Sequence, residues 1–188
     1  MPTLAQYRGY VQLPQVKAAL DTIAWAEGGR YNNVYGGGAF SGSEHPNRLV
    51  TAGGYSSTAA GRYQFLFRTW AGIKAKLGLP DFSPASQDIA ALELISQRGQ
   101  LNKLLAGDFE GMLRGLGCAW AALPYATCGQ KMRPLSTTMN YYNSALRAYG
   151  GTSAVSNLPA SVGGVAASIG TLGMVAIGVF AVLLLTDD

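Results

Sequence analysis

Charge is scarce in this chain of 188 residues: only 13% are Asp, Glu, Lys or Arg, about half the usual share for a soluble domain. The scarcity is local. No charged residue occurs in the 39 positions between Arg147 and Asp187, whereas residues 1–150 hold all 14 Lys and Arg and eight of the ten acids. The first region therefore carries +6 and the remainder −2. This distribution argues against a disordered acidic chain and against a wholly soluble protein. The length suits one good core rather than two full-size domains. The mean hydropathy of +0.13 averages two different polymers joined end to end.

Catalytic equipment is scarce as well. His45 is the only histidine, so a Ser-His-Asp triad would have to use it. It lies in Glu44-His45-Pro46, a turn-like setting that reads as a surface loop. No HExxH, CxxC, P-loop or GxGxxG pattern occurs, so no metal, cofactor or nucleic-acid partner is expected. The two cysteines, Cys118 and Cys128, are ten positions apart. They could pair in an oxidising space, or remain two thiols with Cys118 in a helix core; spacing alone leaves both open.

What the chain has in abundance is an apolar run near its end. From Val162 to Leu185, 24 residues, only Ser168 and Thr171 carry polar side chains. As a helix the run would span roughly 36 Å, enough for a bilayer core of about 30 Å. Residues 162–186 are therefore expected to form one C-terminal transmembrane anchor in the lipid bilayer. Gly164, Ser168, Gly170, Thr171, Gly173 and Gly178 are small. They could pack against other membrane or virion proteins, or simply reflect the glycine content of membrane helices. Residues 150–161, small, polar and turn-rich, read as a flexible linker.

Residues 1–149 form the head. Val16, Leu20, Ile23 and Trp25–Ala26 give 16–27 one apolar stripe, stopped by Gly28-Gly29. Residues 28–62, with Tyr35-Gly36-Gly37-Gly38, Gly53-Gly54 and Arg48-Leu49-Val50-Thr51, read as a small irregular β-sheet with loops. Helices are then expected over 63–77, from an N-cap at Ser83 with Pro84 to about Arg98, and over 100–106, 109–122 and 134–149. The fold class is α+β and mostly helical.

Glu27 stands out within the head. It ends an apolar helix beside Trp25 and Ala26. Apolar surroundings and the negative end of the helix dipole both disfavour its carboxylate. A carboxylic acid kept protonated near neutral pH is what protonates a glycosidic oxygen. From composition and spacing alone, an ordinary helix-terminal Glu in solvent is the simpler reading. Glycoside hydrolysis usually needs a second carboxylate. Asp21 points elsewhere around the helix, which leaves Glu44 and Asp88 as distant candidates.

An ordered set of motifs changes that balance. Ala24-Trp25-Ala26-Glu27-Gly28 is followed by Gly36-Gly37, Phe40, His45-Pro46, Arg48-Leu49-Val50-Thr51 and Ser57-Thr58-Ala59-Ala60-Gly61-Arg62-Tyr63-Gln64. Then come Leu77-Gly78-Leu79, Asp81-Phe82-Ser83-Pro84, Ser86-Gln87-Asp88, Arg98-Gly99 and Trp120-Ala121-Ala122-Leu123-Pro124. From about residue 17 to 130 the chain resembles the lambda-type phage endolysins. The resemblance implies a lysozyme-like fold and lytic transglycosylase activity on peptidoglycan strands, ending in 1,6-anhydro-muramyl products. It makes Glu27 the catalytic acid and then base, with no second carboxylate needed. It implies that Gln64 lies near Glu27 and that Tyr63 lines the sugar groove, although Tyr63 could equally be a core aromatic. Tyr125 and Gln130 fall where the endolysins have a Gly/Tyr-rich loop followed by Gln, and this chain departs from them there. The membrane tail is not part of the endolysin pattern.

Delivery is then the open question. The N-terminus has neither the basic start nor the long apolar core of a signal peptide. The expectation is a membrane-anchored head acting in the periplasm. Its carrier is expected to be a phage virion that opens the wall during infection. The alternatives are a tethered late endolysin for lysis, or a structural membrane protein whose head only binds peptidoglycan.

Overall fold

The computed structural model describes residues 2–152. The expected anchor at 162–186, and the expected linker from residue 153 on, lie outside the described residues.

Besides a single 3-10 turn at Tyr35–Gly37, seven α-helices and one hairpin are present among the described residues. They are α1 (Leu4–Tyr10), α2 (Pro14–Glu27), β1 (Val50–Ala52), β2 (Tyr55–Ser57), α3 (Phe67–Leu77), α4 (Pro84–Gln97), α5 (Leu101–Leu105), α6 (Phe109–Gly115) and α7 (Leu135–Ala148). Helix α1 was not expected, although its signal is local. Thr3 accepts from Gln6 N–H while the Gln6 side chain reaches back to Thr3 N–H, a capping box that satisfies two end donors.

The core is built on α2 and α4. Val16, Leu20, Ile23 and Ala26 of the expected stripe are buried, together with Ala18, Ala19 and Ala24. Those alanines give α2 a narrow waist, and α7 packs along it. Helix α4 is buried on every face over seven consecutive residues, Ile89 to Ile95, as befits a helix enclosed by others. Helices α1 and α3 pack on it. One acid is enclosed there: Glu93, 1% exposed, accepts from Tyr7 Oη at 2.6 Å and Gln97 Nε2 at 2.8 Å and pairs with Lys76.

The β region is small and irregular, as expected. Its hairpin pairs Val50 with Ser57, Thr51 with Ser56 and Ala52 with Tyr55. Gly53 and Gly54 make the turn, at φ 57° and 81°, the double positive φ that a tight two-residue hairpin loop requires. Single bridges join Asn33 to Ala39, Val34 to Ala60 and Ala60 to Phe65.

Two helices are shorter than the periodicity suggests. The helix expected from residue 63 starts at Phe67, because Gln64 takes a left-handed φ of 47° and Phe65 bridges Ala60. The helix expected over 109–122 ends at Gly115. Cys118 is therefore not a helix core residue: it is exposed and disulfide-bonded to Cys128. His45 is not on the surface either. It is 6% exposed, against Phe67 and Phe82. Its Nδ1 accepts from Asn47 N–H at 3.1 Å, so Nε2 carries the proton toward Phe65 C=O at 2.9 Å. Burial pushes its pKa down. Ser83 holds the N-cap of α4 but makes no side-chain cap bond. Asp81 instead accepts from Ser83 N–H and from the Ser86 hydroxyl.

Candidate active site

Glu27 is the last residue of α2, and Gly28 caps the helix in the left-handed conformation. The chain must then turn sharply beneath the 61–64 segment. A Cβ on Gly29 would lie 2.1 Å from Arg62 C=O, so only glycine allows this approach. That contact sets the end of α2 against Gly61-Arg62-Tyr63-Gln64.

The Glu27 side chain is half-buried and accepts from Ala122 N–H at 3.1 Å. Burial raises its pKa above the ordinary carboxylate value, while the Ala122 N–H and the Arg133 charge pull it back. The direction suits a general acid. Arg133 is held by stacking over Trp25 at 4.8 Å and by donating from Nε to Ala26 C=O at 3.4 Å, an end carbonyl of α2. Trp25 stacks in turn on Tyr141 of α7, with ring centroids 4.8 Å apart. Neither Arg133 nor the Ala122 N–H was identified from sequence. A backbone donor leaves no side-chain signal, and Arg133 lies 106 positions from Glu27 in a segment without periodicity.

Gln64 donates from Nε2 to Gly61 C=O at 2.9 Å and to Asn33 Oδ1 at 3.4 Å. Its left-handed backbone is uncommon for a non-glycine residue and turns its side chain out of the helix that follows. Tyr63 is not a groove residue: it is 0% exposed and its hydroxyl donates to Asp88 Oδ1 at 2.6 Å. The turn over 61–64, closed by Gln64 N–H donating to Gly61 C=O at 3.1 Å, sends it into the core. Tyr125 lies on the loop between α6 and α7, at φ 67°. Its hydroxyl donates to Glu110 Oε1 at 3.0 Å and its ring faces Arg114 at 4.3 Å, which ties it to α6. Gln130 is exposed and lines a cleft of about 520 Å³ with Tyr35, Tyr55, Ser56, Ser57 and Lys131.

The cleft lies between the hairpin and the 129–131 segment. The 129–131 wall is linked to Glu27 through Arg133, whose N–H donates to Ala122 C=O at 2.8 Å, the residue whose own N–H holds Glu27.

The distant carboxylates are engaged elsewhere. Asp88 accepts from Tyr31 at 2.9 Å and from Tyr63, with Arg62 3.6 Å away. Arg62 also pairs with Asp21, whose other oxygen accepts from Tyr149 at 2.6 Å. Glu44 pairs with Lys74 at an exposed site. None of them shares a hydrogen-bond partner with Glu27. Among the described residues no three His, Cys, Asp or Glu side chains gather as a metal site.

Comparison with known proteins fits this geometry. The family described as endolysin matches residues 17–151. The endolysin of Escherichia phage lambda is 44% identical over 128 residues, covering 62% of this chain and 81% of its own length. The endolysin of Escherichia phage P2 is 39% identical over 100 residues, covering 53% of this chain and 61% of its own length. The solved structure of bacteriophage lambda lysozyme complexed with a chitohexasaccharide superposes with a TM-score of 0.69 at 37% identity, over 75% of this chain and 97% of that one. A second structure of lysozyme from bacteriophage lambda gives 0.64 at 35% identity with the same coverage.

Proposed function

From the premise that this chain belongs to the endolysin family, we propose that it degrades peptidoglycan as a lytic transglycosylase with Glu27 as its one acid and base. The observation that carries the mechanism is the isolation of Glu27. It is half-buried, raised in pKa, and held by a single backbone N–H.

The protonated Glu27 gives its proton to the glycosidic oxygen between N-acetylmuramic acid and N-acetylglucosamine. The C1–O bond breaks and positive charge develops at C1. Glu27, now a carboxylate, takes the proton of the same muramic residue's 6-hydroxyl as that oxygen bonds to C1. The product is a 1,6-anhydro ring and Glu27 is protonated again. No water has to be positioned, so no second carboxylate is required, and the intramolecular attack carries little entropic cost. The cleft walled by Tyr35, Tyr55–Ser57 and Gln130 presents the rings and hydroxyls that sugars stack on and hydrogen-bond to. The chitohexasaccharide held by lambda lysozyme supports a glycan as the ligand.

The relatives are endolysins, and this favours a role in host lysis over the expected role in a virion. The run at 162–186 supports anchoring by composition alone. No helix among the described residues is long and apolar enough to cross a membrane. We read the protein as a membrane-tethered endolysin whose head works in the periplasm.

Mass spectrometry of fragments released from purified cell walls tests the chemistry: 1,6-anhydro-muramyl ends are expected, and ordinary reducing ends would mean hydrolysis. Carbonate extraction of membranes from expressing cells tests the tether, and recovery of the chain in the soluble fraction refutes it. Finding the chain in purified virions would restore the virion role.

A further inference from the structure

The disulfide Cys118–Cys128 closes a loop with Cα atoms 5.6 Å apart at its ends. The loop contains no helix or strand, yet it meets the site at several points. Ala122 gives its N–H to Glu27 and its C=O to Arg133 N–H. Trp120 Nε1–H donates to Tyr63 C=O at 3.0 Å, next to Gln64. Cys118, Ala119 and Trp120 line one crevice with Gln64. A loop without a backbone ladder owes its shape to such contacts and to its covalent closure, which removes conformations that would compete.

We propose that the Cys118–Cys128 disulfide is a positioning element for Glu27, and that it makes activity conditional on an oxidising compartment. The proposal rests on the lytic reading above. The disulfide forms when one cysteine thiolate attacks a disulfide-bonded oxidant and the second displaces that oxidant's sulfur. The two thiols give up two electrons and two protons, and the oxidant leaves as a dithiol. A dithiol reductant reverses the exchange with the same balance. Cys118 is exposed and open to either partner. Cytoplasmic thiol systems keep such pairs reduced and the periplasm keeps them oxidised. A reduced chain leaves Ala122 free to drift from Glu27, and a misplacement of about 1 Å can cost about 100-fold in rate. The enzyme would thus be poorly active where it is made and fully active where peptidoglycan lies.

The test compares the full-length protein, oxidised and reduced with dithiothreitol, with the double variant Cys118→Ser, Cys128→Ser. Circular dichroism follows the fold. A carboxyl-carbon NMR titration follows Glu27, and kcat and KM are measured on purified cell walls. All three species are expected to stay folded. Without the disulfide the Glu27 titration should move to higher pH, because the Ala122 N–H no longer favours its carboxylate, while Arg133 remains the charged group bearing on it. The kcat should fall about 10- to 100-fold with KM changed by about threefold or less. Reoxidation should restore the native chain, and the serine variant should ignore the reductant. An unmoved titration with kcat within about twofold overturns the proposal. Global unfolding on reduction overturns it too, since the disulfide would then hold the fold and not the site. If the oxidised protein releases no fragments, the lytic reading fails, and the Glu27 titration still decides the positioning role.

Discussion

Glu27 and Asp88 are both acids that burial pushes above the ordinary carboxylate pKa, and their surroundings assign them opposite work. Asp88 is surrounded by donors: Tyr31, Tyr63 and the guanidinium of Arg62. Each lone pair given to a tyrosine is unavailable to a substrate, and the cluster ties α4 to the 61–64 segment. Glu27 accepts one hydrogen bond, from a backbone N–H. Its carboxyl is poorly solvated and poorly satisfied, a condition that costs stability and suits proton transfer. A raised pKa therefore does not identify a catalytic acid; unspent hydrogen-bonding capacity does.

The sharpest way to break this contrast is Glu27→Gln. Release of anhydro-muramyl fragments should fall about 1,000-fold or more, as removal of a general acid allows. The same change should stabilise the protein at neutral pH. A carboxyl with a raised folded pKa binds its proton more tightly when folded, so its stability contribution falls as pH climbs from the ordinary carboxylate value through the raised one. The melting temperature of the variant should exceed that of the native chain at pH 7 and converge with it in acid. An unchanged rate would place the proton donor elsewhere.

Asp88→Ala should do the reverse. It leaves the Tyr31 and Tyr63 phenols without their acceptor and should cost about 1–3 kcal/mol by denaturant unfolding. The folded protein should keep activity within about tenfold, the loss coming from a looser Gln64 segment. A loss comparable to that of Glu27→Gln, with the fold intact, would make Asp88 a second catalytic carboxylate and sink the single-acid mechanism.

This contrast also explains how much could be read beforehand. Glu27 at the end of an apolar helix, the Gly28 stop and the α4 start at Pro84 are local signals, and they hold. The resemblance in ordered motifs carried the fold. What failed depends on distant partners. Tyr63 goes inward because Asp88 and Trp120 meet it there, and His45 is covered by Phe67 and Phe82. The helix expected from residue 63 is delayed because Gln64 adopts a conformation that propensity does not foresee. Arg133 and the Ala122 N–H reach Glu27 across a loop whose shape is set by a disulfide that spacing could not decide.

Arg133→Ala refines the Glu27 side of the comparison. Arg133 lowers the Glu27 pKa against the larger upward effect of burial. Its removal should move the high-pH limb of the rate profile, where the acid loses its proton, to still higher pH. The plateau rate below that limb should change less than the limb position, as read from kcat across pH. A limb that moves down would mean that Arg133 acts by holding Trp25 and α7 in place rather than by its charge.

His45 supplies a control that has burial without any role in the cleft. Its Nδ1 accepts and its Nε2–H donates, so a second proton would have to displace the Asn47 N–H. Burial lowers its folded pKa. The unfolded chain binds the proton first, and stability should fall as pH drops below the ordinary histidine value toward the depressed one. This runs opposite to the pH effect of Glu27. His45→Gln should reduce the loss of melting temperature between pH 7 and 5, an effect of about 1 kcal/mol or less. The anhydro-muramyl release rate at pH 7 should not change. If the rate falls while the fold holds, the packing around Phe65 and Phe67 must reach Gln64, and the separation between a chemical region and a structural one would have to be redrawn through the 61–67 segment.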